Sequence, residues 1–154
     1  MNRLELKAPP PLVALITCLA MFGVSRLTPS LTLPLPWPWR FAALLLVVLG
    51  VATAVSGALT FRRQHTTLNP TTPGAASVLV SSGIFRYTRN PMYLGLLIVL
   101  VGIAVSRSNP TTLLFLVAFV LYLTRFQIMP EERALLAKFG SQYADYMSTV
   151  RRWV

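Results

Sequence analysis

The sequence is poor in cysteine, histidine and acidic residues. The one cysteine, Cys18, cannot form an intrachain disulfide, and with a single histidine, His65, a metal site would lack ligands, so we expect no metal centre. Four residues are acidic, and charged residues make up 12% of the chain, against about 25% in a soluble domain. These shortages argue against a disulfide scaffold, a metalloenzyme and a soluble domain.

The sequence also lacks the motifs of soluble nucleotide-binding and hydrolytic enzymes. It contains no GxGxxG loop, no Walker loop, no GxSxG elbow and no HExxH zinc motif. A chain of 154 residues with several membrane spans leaves no room for a Rossmann domain. Any nucleotide cofactor must therefore bind among the helices and their loops.

Long apolar blocks are the main feature that the sequence does contain. Apolar residues make up 55% of the chain, and blocks near ~20 residues are typical of membrane spans. We predict an all-α fold, a polytopic membrane helical bundle in one domain of residues 1–154. The predicted parts are about four transmembrane helices over residues 12–27, 41–61, 92–106 and 111–129, a cofactor-site loop over 62–91, and a C-terminal cytoplasmic amphipathic helix over 130–147.

Local patterns add detail to this outline. Prolines and tryptophans in residues 28–40 predict an interfacial loop between the first two spans. Gly50, Ala54 and Ala58 recur every four residues in the second span, and such small residues permit close helix contact. The run Arg151–Trp153 at the end of the chain fits an anchor in the headgroup region.

The basic residues predict the orientation in the membrane. The net charge is +10, but the basic residues flank the apolar blocks and form no long stripe, so we expect no nucleic-acid partner. Only Arg26, Arg40 and Arg107 fall on one predicted side, and the other basic residues fall at the N terminus, in the loop 62–91, or in the last turns of the fourth span and after it. Both termini and the loop are therefore predicted to be cytoplasmic, and the small size favours a prokaryotic cytoplasmic membrane.

Three polar features meet on the predicted cytoplasmic side. The block 86–93 opens the third span, where Pro91 suits the first helical position and a helix N terminus can hold an anion. Arg125 lies in the last turns of the fourth span, where ionisable groups usually face the protein interior. Glu131 and Glu132 follow directly. Each feature also has a structural reading, because arginines anchor spans or snorkel to the interface and acids complement a helix dipole.

Two sequence blocks resemble the signature of the isoprenylcysteine carboxyl methyltransferase family, whose superfamily includes phospholipid methyltransferases. The first block, residues 79–95, reads LVSSGIFRYTRNPMYLG. The second contains Glu131, Glu132 and Arg133, followed by the residues Phe139, Gly140, Tyr143 and Tyr146. The resemblance covers about residues 57–154. It implies a membrane methyltransferase that uses S-adenosyl-L-methionine on the cytoplasmic side and takes a lipid-like substrate from the bilayer.

The resemblance also implies roles for individual residues. The cofactor-binding residues would be Val78, Leu79, Val80, Asn90, Pro91, Tyr93 and Glu131. The catalytic candidates are Arg89, Arg125 and Glu132. A carboxylate such as Glu131 can bind the ammonium group of the cofactor, and an arginine can orient a carboxylate or phosphate of the substrate with two parallel hydrogen bonds.

Three positions depart from the family pattern. Phe85 stands where the prenylcysteine enzymes often have tyrosine, Asn90 replaces a frequent histidine, and Gln127 falls where an arginine reads the prenylcysteine carboxylate. The sequence therefore leaves the methyl acceptor open between a carboxyl, an amine and a hydroxyl group. Two other functions stay open: an NADPH-dependent membrane reductase of the sterol-reductase type, and a non-catalytic membrane scaffold of the same fold.

Overall fold

The computed structural model describes residues 5–64 and 78–154, and within these ranges every regular element is helical. The predicted all-α fold class is therefore confirmed. Arg3, His65 and the middle of the predicted loop 62–91 lie outside the described residues. The helices are α1 (Pro10–Leu27), α2 (Pro38–Arg63), α3 (Pro91–Arg107), α4 (Thr112–Leu123), α5 (Met129–Phe139) and α6 (Ser141–Thr149), with 3-10 turns at Pro29–Leu31 and Gly83–Arg86 and a π turn at Thr124–Ile128.

The apolar helices make the chain an integral membrane protein. Three helical stretches among the described residues are long and apolar enough to cross a membrane: Pro10–Leu27, Pro38–Arg63 and Thr112–Phe139. Their outer faces keep large apolar side chains exposed, such as Leu44 and Leu114. Helix α3 is apolar too, but its 17 residues reach only ~25 Å at ~1.5 Å per residue, short of the ~30 Å hydrocarbon core.

Proline sets the start of several helices. Pro10, Pro38 and Pro91 each stand in the first turn of a helix, where the missing N–H group would have had no partner in any case. The predicted interfacial loop 28–40 is therefore shorter than expected, since α2 begins at Pro38 and includes Trp39. The third helix includes Pro91 and begins one residue before the predicted span.

Helix α3 lies at the centre of the bundle, with α2 on one side and α1 and α4 on the other. Between α1, α3 and α4 lies a core of buried apolar side chains, among them Met21, Leu100, Phe119 and Leu123. On the α2 side the contact is made by small residues. A Cβ atom added to Gly95 would lie 2.5 Å from the Gly50 carbonyl oxygen and 2.6 Å from the Ala54 nitrogen.

The predicted small-residue face of the second span is confirmed for Gly50 and Ala54, which contact Gly95 of α3. Gly57, which the four-residue spacing does not include, faces the start of α3, where an added Cβ atom would approach the Pro91 ring to 3.0 Å. Ala43, Gly50 and Gly57 are buried at intervals of seven residues. Where two helices stay in close contact, the residues on the shared side recur about every seven positions. The buried small residues of α2 therefore do not keep the four-residue spacing. Close contact at Gly57 fixes the start of α3, where the candidate site begins.

Replacement of Gly95 by alanine should destabilise the bundle, because the added methyl group meets backbone atoms that cannot move independently. We expect a cost of about 1–3 kcal/mol, and hence a thermal midpoint lower by about 4–10 °C in detergent. The matched control is Gly23→Ala in α1, where nothing lies within 4 Å of an added Cβ and alanine favours the helix. Equal midpoints for the two variants would contradict the close α2–α3 contact.

The prediction of one separate helix over residues 130–147 is wrong, because its first part continues the preceding span and a break divides it at Gly140. α4, the π turn and α5 run continuously from Thr112 to Phe139, and the break falls at Gly140, which has a φ of 54°. Pro130 has no N–H group to donate to the carbonyl oxygen of Phe126, four residues earlier. The helix continues through Pro130 because that oxygen accepts the N–H of Leu6 at 3.0 Å instead. The π turn, in which the Met129 N–H bonds to the Thr124 carbonyl oxygen, accommodates the proline without breaking the helix.

Candidate active site

A cavity opens where the start of α3 meets α5 and α6. Its empty volume, including the open mouth, is about 650 Å³. The segment 78–80, the turn Gly83–Arg86 and the end of α2 complete the wall. The lining side chains are mostly apolar or aromatic, with a few charged groups from α5 and from the residues before α3.

Most of the residues singled out from the sequence line this one cavity. Every predicted cofactor-binding residue does so: Val78, Leu79, Val80, Asn90, Pro91, Tyr93 and Glu131. Of the catalytic candidates, Arg89 and Glu132 line it as well, whereas Arg125 does not. Positions separated by about forty residues in sequence thus meet because the start of α3 contacts the start of α5, where Tyr93 bonds to Glu131.

Glu131 lies against Tyr93. The buried Tyr93 hydroxyl of α3 donates a hydrogen bond to the Glu131 carboxylate of α5. No lysine or arginine in the described part of the chain pairs with Glu131. A largely buried carboxylate without a cationic partner is costly, so this side of the cavity is suited to a positively charged ligand group.

Glu132, the next residue, is held between two arginines. Arg89 Nη2 lies 3.1 Å from its Oε1, and Arg152 donates from Nε to Oε1 at 3.0 Å and from Nη2 to Oε2 at 2.7 Å. The bidentate hydrogen bonds raise the pKa of Arg152, which stays charged. The Arg89 side chain is only 10% exposed, and its Nε and Nη1 atoms are buried without a hydrogen-bond partner among the described residues.

The segment before α3 is tied to the end of the chain. The backbone N–H of Arg89 donates to the Arg151 carbonyl oxygen at 3.0 Å, and the Asn90 side-chain amide donates to the Arg152 carbonyl oxygen at 2.9 Å. The Trp153 indole N–H donates to the Thr124 hydroxyl at 3.3 Å. The side chains of Arg152 and Trp153, which the sequence assigns with Arg151 to an anchor in the headgroup region, thus also bind within the protein.

Arg125 lies away from the cavity and holds the N-terminal segment. Its Nη1 atom pairs with Glu5 Oε1 at 2.9 Å, and Arg133 pairs with the other oxygen of this buried carboxylate at 2.8 Å. Gln127 beside it is buried and donates to the Ala8 carbonyl oxygen at 2.6 Å. The polar residues of the π turn thus fasten residues 5–8, and neither Arg125 nor Gln127 lines the cavity.

Aromatic side chains form the remaining wall. Burial and the nearby Glu132 carboxylate raise the pKa of the Tyr143 phenol to about 12, so it stays neutral at physiological pH. The Tyr146 hydroxyl donates to the Phe85 carbonyl oxygen at 2.7 Å, which ties α6 to the turn Gly83–Arg86. The Phe85 and Phe61 rings pack edge to face, with 5.1 Å between their centroids. Phe85 therefore supplies apolar contact where a tyrosine would bring a hydroxyl.

The reasoning from sequence missed Phe61, which lines the cavity, and Arg152, which lies behind it. Phe61 lies at the end of the second span and looks like any other apolar residue of a membrane helix. Arg152 looks like an anchor because it stands beside a tryptophan at the chain end. Its contact with Glu132 joins residues twenty positions apart, and no local pattern indicates such a pair.

Comparison with known proteins agrees with this picture. The family model for phospholipid methyltransferase matches residues 39–142. Protein-S-isoprenylcysteine O-methyltransferase of Saccharomyces cerevisiae is 31% identical over 109 residues, which are 69% of this chain and 44% of that protein. Protein-S-isoprenylcysteine O-methyltransferase A of Arabidopsis thaliana is 33% identical over 110 residues, 70% of this chain and 54% of the relative.

A shorter relative is matched over its whole length. An uncharacterized protein of Haemophilus influenzae is 40% identical over 63 residues, which are 41% of this chain and 100% of that protein. The chain spans about half the length of the named methyltransferases that it matches. Because the family model covers more than half of the chain and most of the residues that line the cavity, the resemblance seen in the sequence is confirmed, and the chain belongs to the phospholipid methyltransferase family.

Proposed function

We propose that this protein is an integral membrane methyltransferase that uses S-adenosyl-L-methionine and methylates a lipid-like substrate. The observation that carries the proposal is one cavity with two incompletely partnered groups: within the described residues Glu131 has no cationic partner, and the buried Arg89 keeps two N–H groups without a hydrogen-bond acceptor. The family of the chain implies a methyl donor. The named relatives methylate isoprenylcysteine, which makes a lipid-like acceptor the natural proposal here.

The residues of the cavity suit this cofactor. Glu131 would bind its ammonium group, since the carboxylate is largely buried and its only hydrogen-bond donor among the described residues is the neutral Tyr93 hydroxyl. The segment Val78–Val80 would provide backbone and apolar contacts, and Asn90 and Pro91 would form the wall at the start of α3. When bound, S-adenosyl-L-methionine supplies an electrophilic methyl group on a sulfonium.

Arg89 is the arginine that we propose orients the acidic group of the substrate, a carboxylate or a phosphate. Its unpartnered Nε and Nη1 groups can each donate a hydrogen bond to such a group. Glu132 would hold the guanidinium from the other side through the 3.1 Å contact. Arg125, the other candidate for this role, is engaged by Glu5 outside the cavity, so we assign it to stability.

The chemistry needs little more from the protein. Methyl transfer is an in-line displacement, so alignment of the two reactants and exclusion of water supply most of the catalysis. The aromatic wall of Phe61, Phe85 and Tyr143 would exclude water from the reacting atoms. No general base is required when the acceptor is an ionised carboxylate, and this favours an acidic acceptor for the site.

We further propose that the cavity faces the cytoplasm of a prokaryotic membrane. The basic residues of the α2 end, of the turn before α3 and of the chain end all lie at the cavity end of the bundle, in keeping with the positive-inside rule. Helix α3 would act as the fourth, short span within the bundle. The lipid-like substrate would enter from the bilayer and the polar cofactor from the cytoplasm.

The test is a thermal-shift titration of the detergent-purified protein. S-adenosyl-L-methionine, S-adenosylhomocysteine and NADPH are compared side by side, because a ligand that binds the folded state raises its apparent stability. We expect a rise of about 3 kcal/mol at a hundredfold excess over the dissociation constant with the first two ligands only. A shift with NADPH alone would favour a membrane reductase, and no shift with any ligand would favour a non-catalytic scaffold.

A further inference from the structure

We propose that Arg152, near the end of the chain, is a positioning residue that keeps the Arg89 guanidinium free to bind an anionic ligand. The consequence for catalysis rests on the proposed function, whereas the effect of Arg152 on the Arg89 side chain does not. Glu132 is the carboxylate through which Arg152 would act. The side chain of Arg152 does not line the cavity, and its effect would therefore be indirect.

The two arginines use Glu132 differently. Arg152 spans both carboxylate oxygens, with Nε on Oε1 at 3.0 Å and Nη2 on Oε2 at 2.7 Å. Arg89 reaches Oε1 through Nη2 alone, at 3.1 Å. The bidentate place on the carboxylate is thus taken by Arg152, and Arg89 is left with a single contact.

This division explains the unpartnered atoms of Arg89. Its Nε and Nη1 groups are buried without hydrogen-bond partners in the described part of the chain, which is costly for a charged donor. If Arg152 did not bind Glu132, the Arg89 guanidinium could rotate so that its Nε and Nη2 groups each donate a hydrogen bond to one oxygen of the Glu132 carboxylate. Arg152 prevents that rearrangement, so the Arg89 donors remain available to a ligand in the cavity.

The surrounding backbone holds Arg152 where it can act. The Arg152 carbonyl oxygen accepts the Asn90 side-chain amide at 2.9 Å, and the preceding carbonyl oxygen accepts the Arg89 N–H at 3.0 Å. The Trp153 indole fixes the next residue to Thr124. The chain end and the segment before α3 are therefore joined on both sides of the ion pair, which limits the positions open to either arginine.

The experiment observes the Arg89 Nε–H directly by NMR of arginine-labelled protein in detergent, without cofactor or substrate. The signal is assigned by its loss in Arg89→Lys. In Arg152→Ala we expect this signal to move downfield and to exchange more slowly with water, because the Nε–H then bonds to Glu132. Arg152→Lys should give a smaller change in the same direction, since an ammonium cannot span both oxygens as a guanidinium does.

Two controls separate this effect from a general disturbance. Arg151→Ala removes the neighbouring charge on an exposed side chain and should leave the Arg89 signal in place. In a Glu132→Gln background, Arg152→Ala should have no further effect on that signal, because the shared carboxylate is gone. An unchanged Arg89 signal in both Arg152 variants, or an equal change in Arg151→Ala, would overturn the proposal. The thermal-shift titration of the wild type tests the proposed function separately.

Discussion

Replacement of Arg89 by alanine is expected to lower kcat/KM for methyl transfer by about 10²- to 10³-fold. The estimate is that for the loss of one buried donor aimed at reacting charge, since Arg89 has two N–H groups available to an acidic substrate. The measurement is transfer of a labelled methyl group from S-adenosyl-L-methionine to membrane lipid extracts and to a prenylated cysteine. Arg89→Lys should recover only a small part of the rate, because lysine keeps the charge but not the fork.

Arg86→Ala is the matched control for this loss. Arg86 stands three residues earlier, is exposed and does not line the cavity, so its removal takes away the same charge from the same face. We expect a rate close to that of the wild type. Equal losses in the two variants would mean that Arg89 acts only through the general positive charge of this end of the bundle.

The Arg89→Ala variant also shows whether Arg89 binds the substrate or the cofactor. If its partner is the substrate, Arg89→Ala leaves the dissociation constant of S-adenosylhomocysteine nearly unchanged. A marked rise in that constant would instead assign Arg89 to the carboxylate of the cofactor. The substrate would then be held by apolar contact alone, and an acidic acceptor would lose its support.

Replacement of Glu131 by glutamine should weaken binding of the cofactor and its demethylated product. A hydrogen bond to a charged group contributes about 1.5–3 kcal/mol, which corresponds to roughly a 10- to 150-fold rise in the dissociation constant. Glutamine keeps the size of the side chain and can still accept the Tyr93 hydroxyl, so the change isolates the charge. Calorimetric titration with S-adenosylhomocysteine measures the effect.

Asp145→Asn provides the comparison for Glu131→Gln. Asp145 is an exposed acid on α6 outside the cavity, and the substitution removes the same charge. Its dissociation constant for S-adenosylhomocysteine should match that of the wild type. If Glu131→Gln also bound the product as the wild type does, the ammonium group would have to lie elsewhere and Glu131 would serve only to hold Tyr93.

The sequence by itself determined the helical class, the positions of the apolar segments and most of the residues around the cavity. These features depend on neighbours along the chain: runs of apolar residues, prolines that favour the first turn of a helix, and the two blocks at 79–95 and 131–146. The sequence predicted the side of α2 that contacts α3 only in part, because Gly50 and Ala54 fit the four-residue spacing and Gly57 does not.

Only the tertiary structure decided which arginines belong to the site. From the sequence, Arg125 looked functional and Arg152 looked like an anchor, yet Arg125 pairs with Glu5 and Arg152 with Glu132. The break at Gly140 instead of Pro130 likewise depends on Leu6, which satisfies the carbonyl oxygen that the proline leaves unused. The physical reason is common to these cases. A buried charge or carbonyl group is satisfied by whichever partner the fold brings within about 3 Å, and that partner can lie anywhere in the chain.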